Sequence, residues 1–223
     1  GPYRVRTEHA TLQSSYVESN EIVTIVAPNA PTNLSPNLVP INGAVNNPFT
    51  WTHNPVDGTT QTKYSIRYKA VGGSYPGTPQ INNQVGTVSS HTFANGTFTN
   101  GTDYDWQVAT YGQSATMSAW SSTATFYARA KPVGTITSPT IANYTVSTLS
   151  MGWTYTQSNN SYQKYYIAKL KNTSGTVLEQ KEGSTDLSSG QTFSLNFAYN
   201  LSNNTGYTVT LQVQESKGLW SDE

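Results

Sequence analysis

Phe98-Thr-Asn-Gly-Thr-Asp-Tyr104-Asp-Trp106-Gln-Val108 is the stretch on which the reading of this chain turns. Its second half alternates: Tyr104, Trp106 and Val108 are large and apolar, whereas Asp105, Gln107 and Ala109 are polar or small. A period of two sends one set to a buried face and the other toward water, the pattern of a half-buried strand. Its first half contains Asn100-Gly101, a turn dipeptide that forces a sharp reversal before the strand begins. The design returns as Leu201-Ser-Asn-Asn-Thr-Gly-Tyr207, after which Val209, Leu211 and Val213 alternate with Thr208, Thr210, Gln212 and Gln214. In both stretches an apolar residue, Phe98 or Leu201, precedes the tyrosine by the same interval.

Working outward, other landmarks keep the same register. Trp51 in Phe-Thr-Trp-Thr and Trp153 in Met-Gly-Trp-Thr stand 102 positions apart. Tyr3 opens Tyr-Arg-Val-Arg-Thr, where Tyr3, Val5 and Thr7 alternate with Arg4, Arg6 and Glu8. A late aromatic follows each strand of this kind: Tyr16, Trp120 and Trp220. Several independent landmarks agreeing on one spacing identify an internal repeat of roughly a hundred residues. The register divides the chain into three parts. Residues 1–27 carry the last two strands of a preceding unit, 28–131 a complete unit, and 132–223 a unit lacking its final strand. The expectation is an excerpt from a longer array. Two strands alone are marginal in water, so Tyr3–Val26 is expected to pack on a neighbouring unit or, in trans, on another chain.

Within each unit the signals are those of short strands between turns. Tyr64-Ser-Ile66-Arg-Tyr68-Lys alternates cleanly, while Tyr165-Tyr166-Ile167-Ala168-Lys169-Leu170 leaves open which phase faces inward. Turn residues separate the runs at Asn54-Pro-Val-Asp-Gly58, Gly72-Gly-Ser-Tyr-Pro-Gly77 and Asn95-Gly96, and no window of ten residues holds a helical period. Prolines at 28, 31, 36, 40 and 48 suit a guarded edge strand. The predicted fold class is all-β: tandem Ig-like β-sandwiches of about seven strands and about 100 residues each. Trp51, Tyr64, Tyr104, Trp120, Trp153, Tyr207 and Trp220 are the expected structural core.

These residues together resemble the fibronectin type III family. The proline-rich start Pro28-Asn-Ala-Pro31-Thr-Asn-Leu34, Trp51 on the second strand and Tyr64-x-Ile66-x-Tyr68 on the third match its pattern. The interval from Phe98 to Tyr104, repeated from Leu201 to Tyr207, is similar to the family's tyrosine corner, where the phenol bonds back to the backbone. Ser118-Ala-Trp120-Ser-Ser and Leu219-Trp220-Ser221 resemble its approach to the last strand. The resemblance spans nearly the whole chain. A low-charge version rich in Thr, Ser and Asn is similar to units in bacteriophage tail proteins and bacterial secreted proteins. Phe49-Thr-Trp-Thr-His-Asn-Pro55 and Thr102-Asp-Tyr-Asp-Trp-Gln-Val108 carry that finer likeness.

Composition bounds the function. The 12 Lys+Arg balance 12 Asp+Glu, and only 11% of residues are charged, against the usual share of about 25%. A phosphate-backbone binder needs a basic face, so nucleic acid is not an expected partner. The apolar runs fall far short of the roughly 20 residues that span a bilayer. Cysteine is absent, which excludes a disulfide framework and thiolate chemistry. Aromatic residues reach 12%, enough to fill cores and to argue against disorder.

Candidate chemistry is sparse. His9, His53 and His91 lie far apart, without the close spacing of zinc ligands, and read as structural or surface residues. Asp103 and Asp105 share one face of a strand but read as solvated charges rather than an acid–base pair. Asp57-Gly58 is a turn, with too few neighbouring carboxylates for calcium. Asn-x-Ser/Thr acceptors recur from Asn33 to Asn203, as a chain so rich in these residues generates. Five tyrosines in loops or at ambiguous phase, Tyr75, Tyr111, Tyr155, Tyr162 and Tyr166, are the candidate glycan-binding residues. A ring stacks on sugar C–H faces while neighbouring amides and hydroxyls bond the sugar; the competing reading is cross-strand packing. No catalytic residue, cofactor or metal is expected, and no enzyme activity.

The resemblance implies a non-catalytic structural spacer array in a bacteriophage tail or tail-tip protein, with weak affinity for host-surface glycans. Its location would then be the virion, its partners other virion or cell-surface proteins. The alternative is an accessory array of a secreted bacterial polysaccharide-active enzyme or adhesin, placing it outside the cell.

Overall fold

The computed structural model describes residues 25–140 and 147–223, together with the backbone of two short strands, β1 (Arg6–Glu8) and β2 (Tyr16–Glu18). These two pair antiparallel, Thr7 opposite Val17. The rest of residues 1–24, including Tyr3, Val5 and His9, lies outside the described residues, and the expected packing of Tyr3–Val26 on a neighbour falls mostly there. Within the described part, the Val26 amide donates to Asp57 Oδ2 at 3.4 Å.

Eight strands follow: β3 (Asn29–Ser35), β4 (Val39–Asn42), β5 (Asn47–Asn54), β6 (Lys63–Ala70), β7 (Ile81–Val85), β8 (Ser90–Phe93), β9 (Asp103–Tyr111) and β10 (Ala124–Arg129). They form two facing sheets, β3-β5-β8 and β4-β10-β9-β6-β7. The first strand of the unit changes sheets part-way. Pro36 has no N–H to continue the ladder with β5, and Leu38 stands at φ 56°, so the chain turns and β4 runs parallel to β10. The carbonyl of Pro36 at that crossing accepts from the buried Trp106 Nε1 at 2.9 Å.

Alternation explains the core directly. Phe49 and Trp51 on β5, Tyr64 and Ile66 on β6, and Tyr104, Trp106 and Val108 on β9 all point between the sheets. Phe49 is the hub, its ring centre 4.8 Å from Phe93, 4.8 Å from Trp106 and 5.1 Å from Phe126, mostly edge-to-face. Tyr104 makes the corner bond: its phenol oxygen accepts from the Thr99 amide at 3.0 Å, tying the turn to the strand that follows it.

The next strands repeat the plan: β11 (Val133–Ser138), β12 (Ser150–Thr156), β13 (Gln163–Asn172), β14 (Val177–Leu187), β15 (Thr192–Asn196) and β16 (Tyr207–Glu215). Their sheets are β11-β12-β15 and β14-β13-β16. Met151, Trp153 and Tyr155 of β12 meet Leu170, Phe197 and Val213 in a second core. Tyr207 packs against it, and its phenol oxygen accepts from the Ser202 amide at 2.9 Å, a second corner bond at the same interval.

A polar contact crosses each core. Trp51 Nε1 donates to Gln61 Oε1 at 2.8 Å, and Trp153 Nε1 donates to Gln163 Oε1 at 3.0 Å. Each glutamine is buried, and its amide nitrogen is used as well. Gln61 donates to the carbonyls of Gly86 and Val88, and Gln163 donates to Thr185 Oγ1. An indole N–H shut away from water needs an acceptor, and here the repeat supplies one ten residues on.

Two core expectations are corrected. Trp120 and Trp220 are only half-buried and stand outside the cores. The flanking serines decide this. Ser118 and Ser121 are buried, and their hydroxyls accept from the Thr110 and Val108 amides at 3.0 and 3.1 Å. With the serines turned in against β9, Trp120 between them is turned out. Ser221 accepts from the Val213 amide at 3.0 Å in the same manner beside Trp220.

Replacing Gln163 with leucine should cost about 1–3 kcal/mol, because the Trp153 N–H is left buried without an acceptor. Urea unfolding would show this, and in a Trp153→Phe background the same substitution should cost clearly less. Acid should also weaken the fold. Burial holds His91 below the ordinary histidine value of 6.5, and burial lowers His53 as well despite the attraction of Asp57. Below about 6.5 the unfolded chain therefore takes up protons that the folded chain refuses, so stability is full above that value and falls as pH drops beneath it. The urea midpoint should be lower at pH 5 than at pH 7.5, and a His53→Gln/His91→Gln double variant should reduce the difference.

Candidate functional site

The outer face of the β4-β10-β9-β6-β7 sheet carries the side chains that alternation turns away from the core. Arg67 of β6 and Gln107 of β9 are cross-strand partners in the ladder. Arg67 donates from Nε at 2.9 Å and from Nη2 at 2.7 Å to Gln107 Oε1. The Gln107 amide nitrogen is committed to the Ser121 carbonyl at 2.9 Å and Thr123 Oγ1 at 3.2 Å, which fixes the orientation of its oxygen. The guanidinium lies between two rings, its carbon 4.4 Å from the centre of Tyr75 and 4.3 Å from that of Trp120. Stacking on both faces and a fork on one edge hold it in one place.

Beside Arg67 and Trp120 the face dips into an open groove of about 270 Å³. Tyr111, Met117 and Trp120, with Pro76 and Pro79, form its apolar part, and Asn82, Asn83 and Arg67 contribute polar atoms. Asn83 sits at φ 51°, its amide donates to Ser65 Oγ at 2.9 Å, and its Oδ1 accepts from the Tyr111 hydroxyl at 2.7 Å. That pair anchors the far wall of the groove.

The five tyrosines proposed from sequence part company here. Tyr75 and Tyr111 come to the same sheet face, one covering Arg67 and the other lining the groove. Tyr155 is fully buried, its hydroxyl donating to the Ser161 carbonyl at 2.9 Å, and burial raises its pKa strongly. It is a core residue and presents no platform. Tyr166 also faces inward, its ring 5.1 Å from Trp153, which resolves the phase of β13. Tyr165 is the outward neighbour, edge-on to Trp220 at 5.9 Å. Tyr162 is exposed, with Lys164 Nζ 5.9 Å from its ring, and stands apart from the groove.

Arg67, Asn83, Gln107, Met117 and the outward aim of Trp120 were not singled out by the sequence. Arg67 and Gln107 do occupy the polar phase of their strands, but only the ladder register shows that they oppose each other. The carboxylates Asp103 and Asp105 hold ion pairs, with Arg129 at 2.5 Å and Lys69 at 3.1 Å. Among the described residues there is no cluster of three or more His, Cys, Asp or Glu arranged for a metal ion, and no helix long and apolar enough to cross a membrane.

No protein-family model matches the chain, and no curated protein matches it. Solved structures do. The FN1–FN3 domains of chicken CNTN1 superpose with a TM-score of 0.50 at 18% identity, covering 97% of this chain and 73% of that one. The fold is that of fibronectin type III-like sandwiches. A second likeness is the chicken interferon gamma receptor alpha chain, with a TM-score of 0.43, 12% identity, and coverage of 88% of this chain and 96% of that one. At these identities the likeness concerns fold and nothing further.

An Arg67→Ala variant should stay folded, since the side chain lies outside the core, but it should uncover Trp120. Acrylamide quenching of tryptophan emission should rise relative to the parent protein, and the rise should vanish in a Trp120→Phe background.

Proposed function

We propose that this chain is a non-catalytic spacer array whose sandwiches are held at a set angle, and that it presents the grooved sheet face to glycans with weak affinity. The supporting observation is the junction at Ala130. Its amide donates to Asn100 Oδ1 at 2.5 Å, and its carbonyl accepts from Gln157 Nε2. Asn100 belongs to the β8–β9 turn and Gln157 follows β12, so one residue between β10 and β11 is held by side chains from both sides. Asn100 Nδ2 also donates directly to Ser158 Oγ at 2.7 Å, Lys217 Nζ lies 4.6 Å from the Tyr127 ring, and Lys131 pairs with Asp222. A Cβ added at Gly101 would stand 3.1 Å from Asn159 Cβ, so the surfaces meet closely there too. Short linkers with contacts on either side transmit orientation, which is the use of a spacer.

The setting we favour is a bacteriophage tail or tail-tip protein, on the likeness of Phe49–Pro55, Thr102–Val108 and Trp120-Ser-Ser to such units. A neutral surface of hydroxyls and amides suits an exterior part, among virion or cell-surface proteins. The groove beside Trp120 favours a second reading, an accessory array of a secreted bacterial polysaccharide-active enzyme or adhesin. In either setting Asp103 and Asp105 serve the sandwich as ion-pair partners, and no step of catalysis is assigned to them.

The spacer reading is tested by loosening the junction. An Asn100→Ala/Gln157→Ala variant should keep both sandwiches folded at a cost of about 1–3 kcal/mol in urea unfolding, because the buried Gln157 leaves the Ala130 carbonyl and the Asn159 amide without their partner. Small-angle scattering should nevertheless show a broader distribution of radii of gyration. An unchanged distribution would remove the junction as the orienting element.

A further inference from the structure

Arg67 is the one charged side chain lining the groove, and no described carboxylate pairs with it. On the same face Lys69 is matched by Asp105 at 3.1 Å and Arg129 by Asp103 at 2.5 Å, and the exposed Lys63 at the start of β6 lies outside the groove. At the position one repeat later, Lys169 lies 3.3 Å from Glu223, so the second repeat does not carry an unpaired cation at this position. Gln107 offers a neutral oxygen to Nε and Nη2, while no described residue accepts from Nη1. The result is a fixed guanidinium with one edge satisfied and a remaining edge without a protein partner, at the rim of a groove that contains no acid.

A fixed fork of N–H donors binds a carboxylate better than a flexible ammonium does, since little rotamer freedom is lost on binding. Beside the fork stand Tyr111 and Trp120, whose rings accept C–H faces, and Asn82 and Asn83, whose amides suit hydroxyl groups. Together these donors and rings match a pyranose ring that bears a carboxylate. The groove's volume of about 270 Å³ lies just under the roughly 300–1,000 Å³ of small-molecule sites, which fits a single sugar residue and not a buried chain. We infer that the groove binds the terminal residue of an acidic glycan, its carboxylate on the free edge of Arg67 and its ring against Tyr111 and Trp120. This rests on the glycan affinity proposed above and narrows it to one site and one class of sugar.

The whole chain should be titrated with trigalacturonate and with sialyllactose, each against its methyl ester, following tryptophan emission and amide shifts at fixed ionic strength. At least one acid should bind in the millimolar range, shift Trp120, and lose about tenfold or more on esterification. Arg67→Gln should lose the same factor while keeping the parent melting temperature, Tyr111→Ala should weaken binding, and Arg67→Lys should restore only part of it. Esters that bind as well as the acids at Trp120 would overturn the acid assignment and leave the broader glycan affinity standing. Failure of acids and esters alike would overturn both. Displacement by sodium sulfate at equal molarity, with no effect of Tyr111→Ala, would reduce the groove to a simple anion site and overturn the sugar assignment.

Discussion

An indole N–H in the dry space between two sheets has to find an acceptor, and the rest of each sandwich is arranged around that need. Trp51 and Trp153 project from one sheet, and the glutamines that receive them stand just before β6 and at the first residue of β13 in the other. The bond therefore joins the sheets across the core, in a protein without a disulfide to do so. Each glutamine also uses its amide nitrogen on a neighbouring segment, so the buried polar group is satisfied on both ends. The tyrosine corners work alongside it, tying the turn before β9 or β16 to the strand itself. Around these contacts the first core is built largely of aromatic rings, eight of its thirteen buried residues.

The same economy of backbone partners shapes the outside. In both repeats serine hydroxyls bond strand amides where the chain runs beside β9 or β16, and the tryptophan between or before them is displaced outward. In the β3–β10 sandwich that tryptophan meets Arg67, and Tyr75 folds over from the β6–β7 loop to cover the other side. A motif that serves the backbone thus creates an ordered, cationic and aromatic surface as its by-product. The corresponding ring in the next repeat meets Tyr165 instead, and no guanidinium is present there. Repetition of the fold does not repeat the surface.

Much of the interior was legible because a strand's side chains alternate with a period of two. The phases of β6, β9 and β16 follow from Tyr64-x-Ile66, Tyr104-x-Trp106-x-Val108 and Val209-x-Leu211-x-Val213 without further information. Where two tyrosines stand side by side, as Tyr165 and Tyr166 do, alternation gives no answer, and packing against Trp153 and Phe193 chooses Tyr166. Tyr155 misled for a related reason. A tyrosine beside polar residues reads as exposed, yet its hydroxyl reaches the Ser161 carbonyl and its ring can be buried at no polar loss. Trp120 misled in the opposite direction, since a large ring suggests a core position until the bonds of Ser118 and Ser121 are known.

From the amino-acid sequence alone come the all-β class, the repeat and its register, the two corner tyrosines and the aromatic character of the cores. These are local: a period, an interval or a turn dipeptide specifies them within a few residues. Tertiary structure alone decided the Trp–Gln bonds as inter-sheet contacts, the outward aim of Trp120, the pairing of Arg67 with Gln107 and the bonds about Ala130. Each of these joins residues brought together by strand register or by the meeting of two sandwiches. Register is set by the whole sheet, so the partner of a side chain across a ladder is not written beside it in the chain.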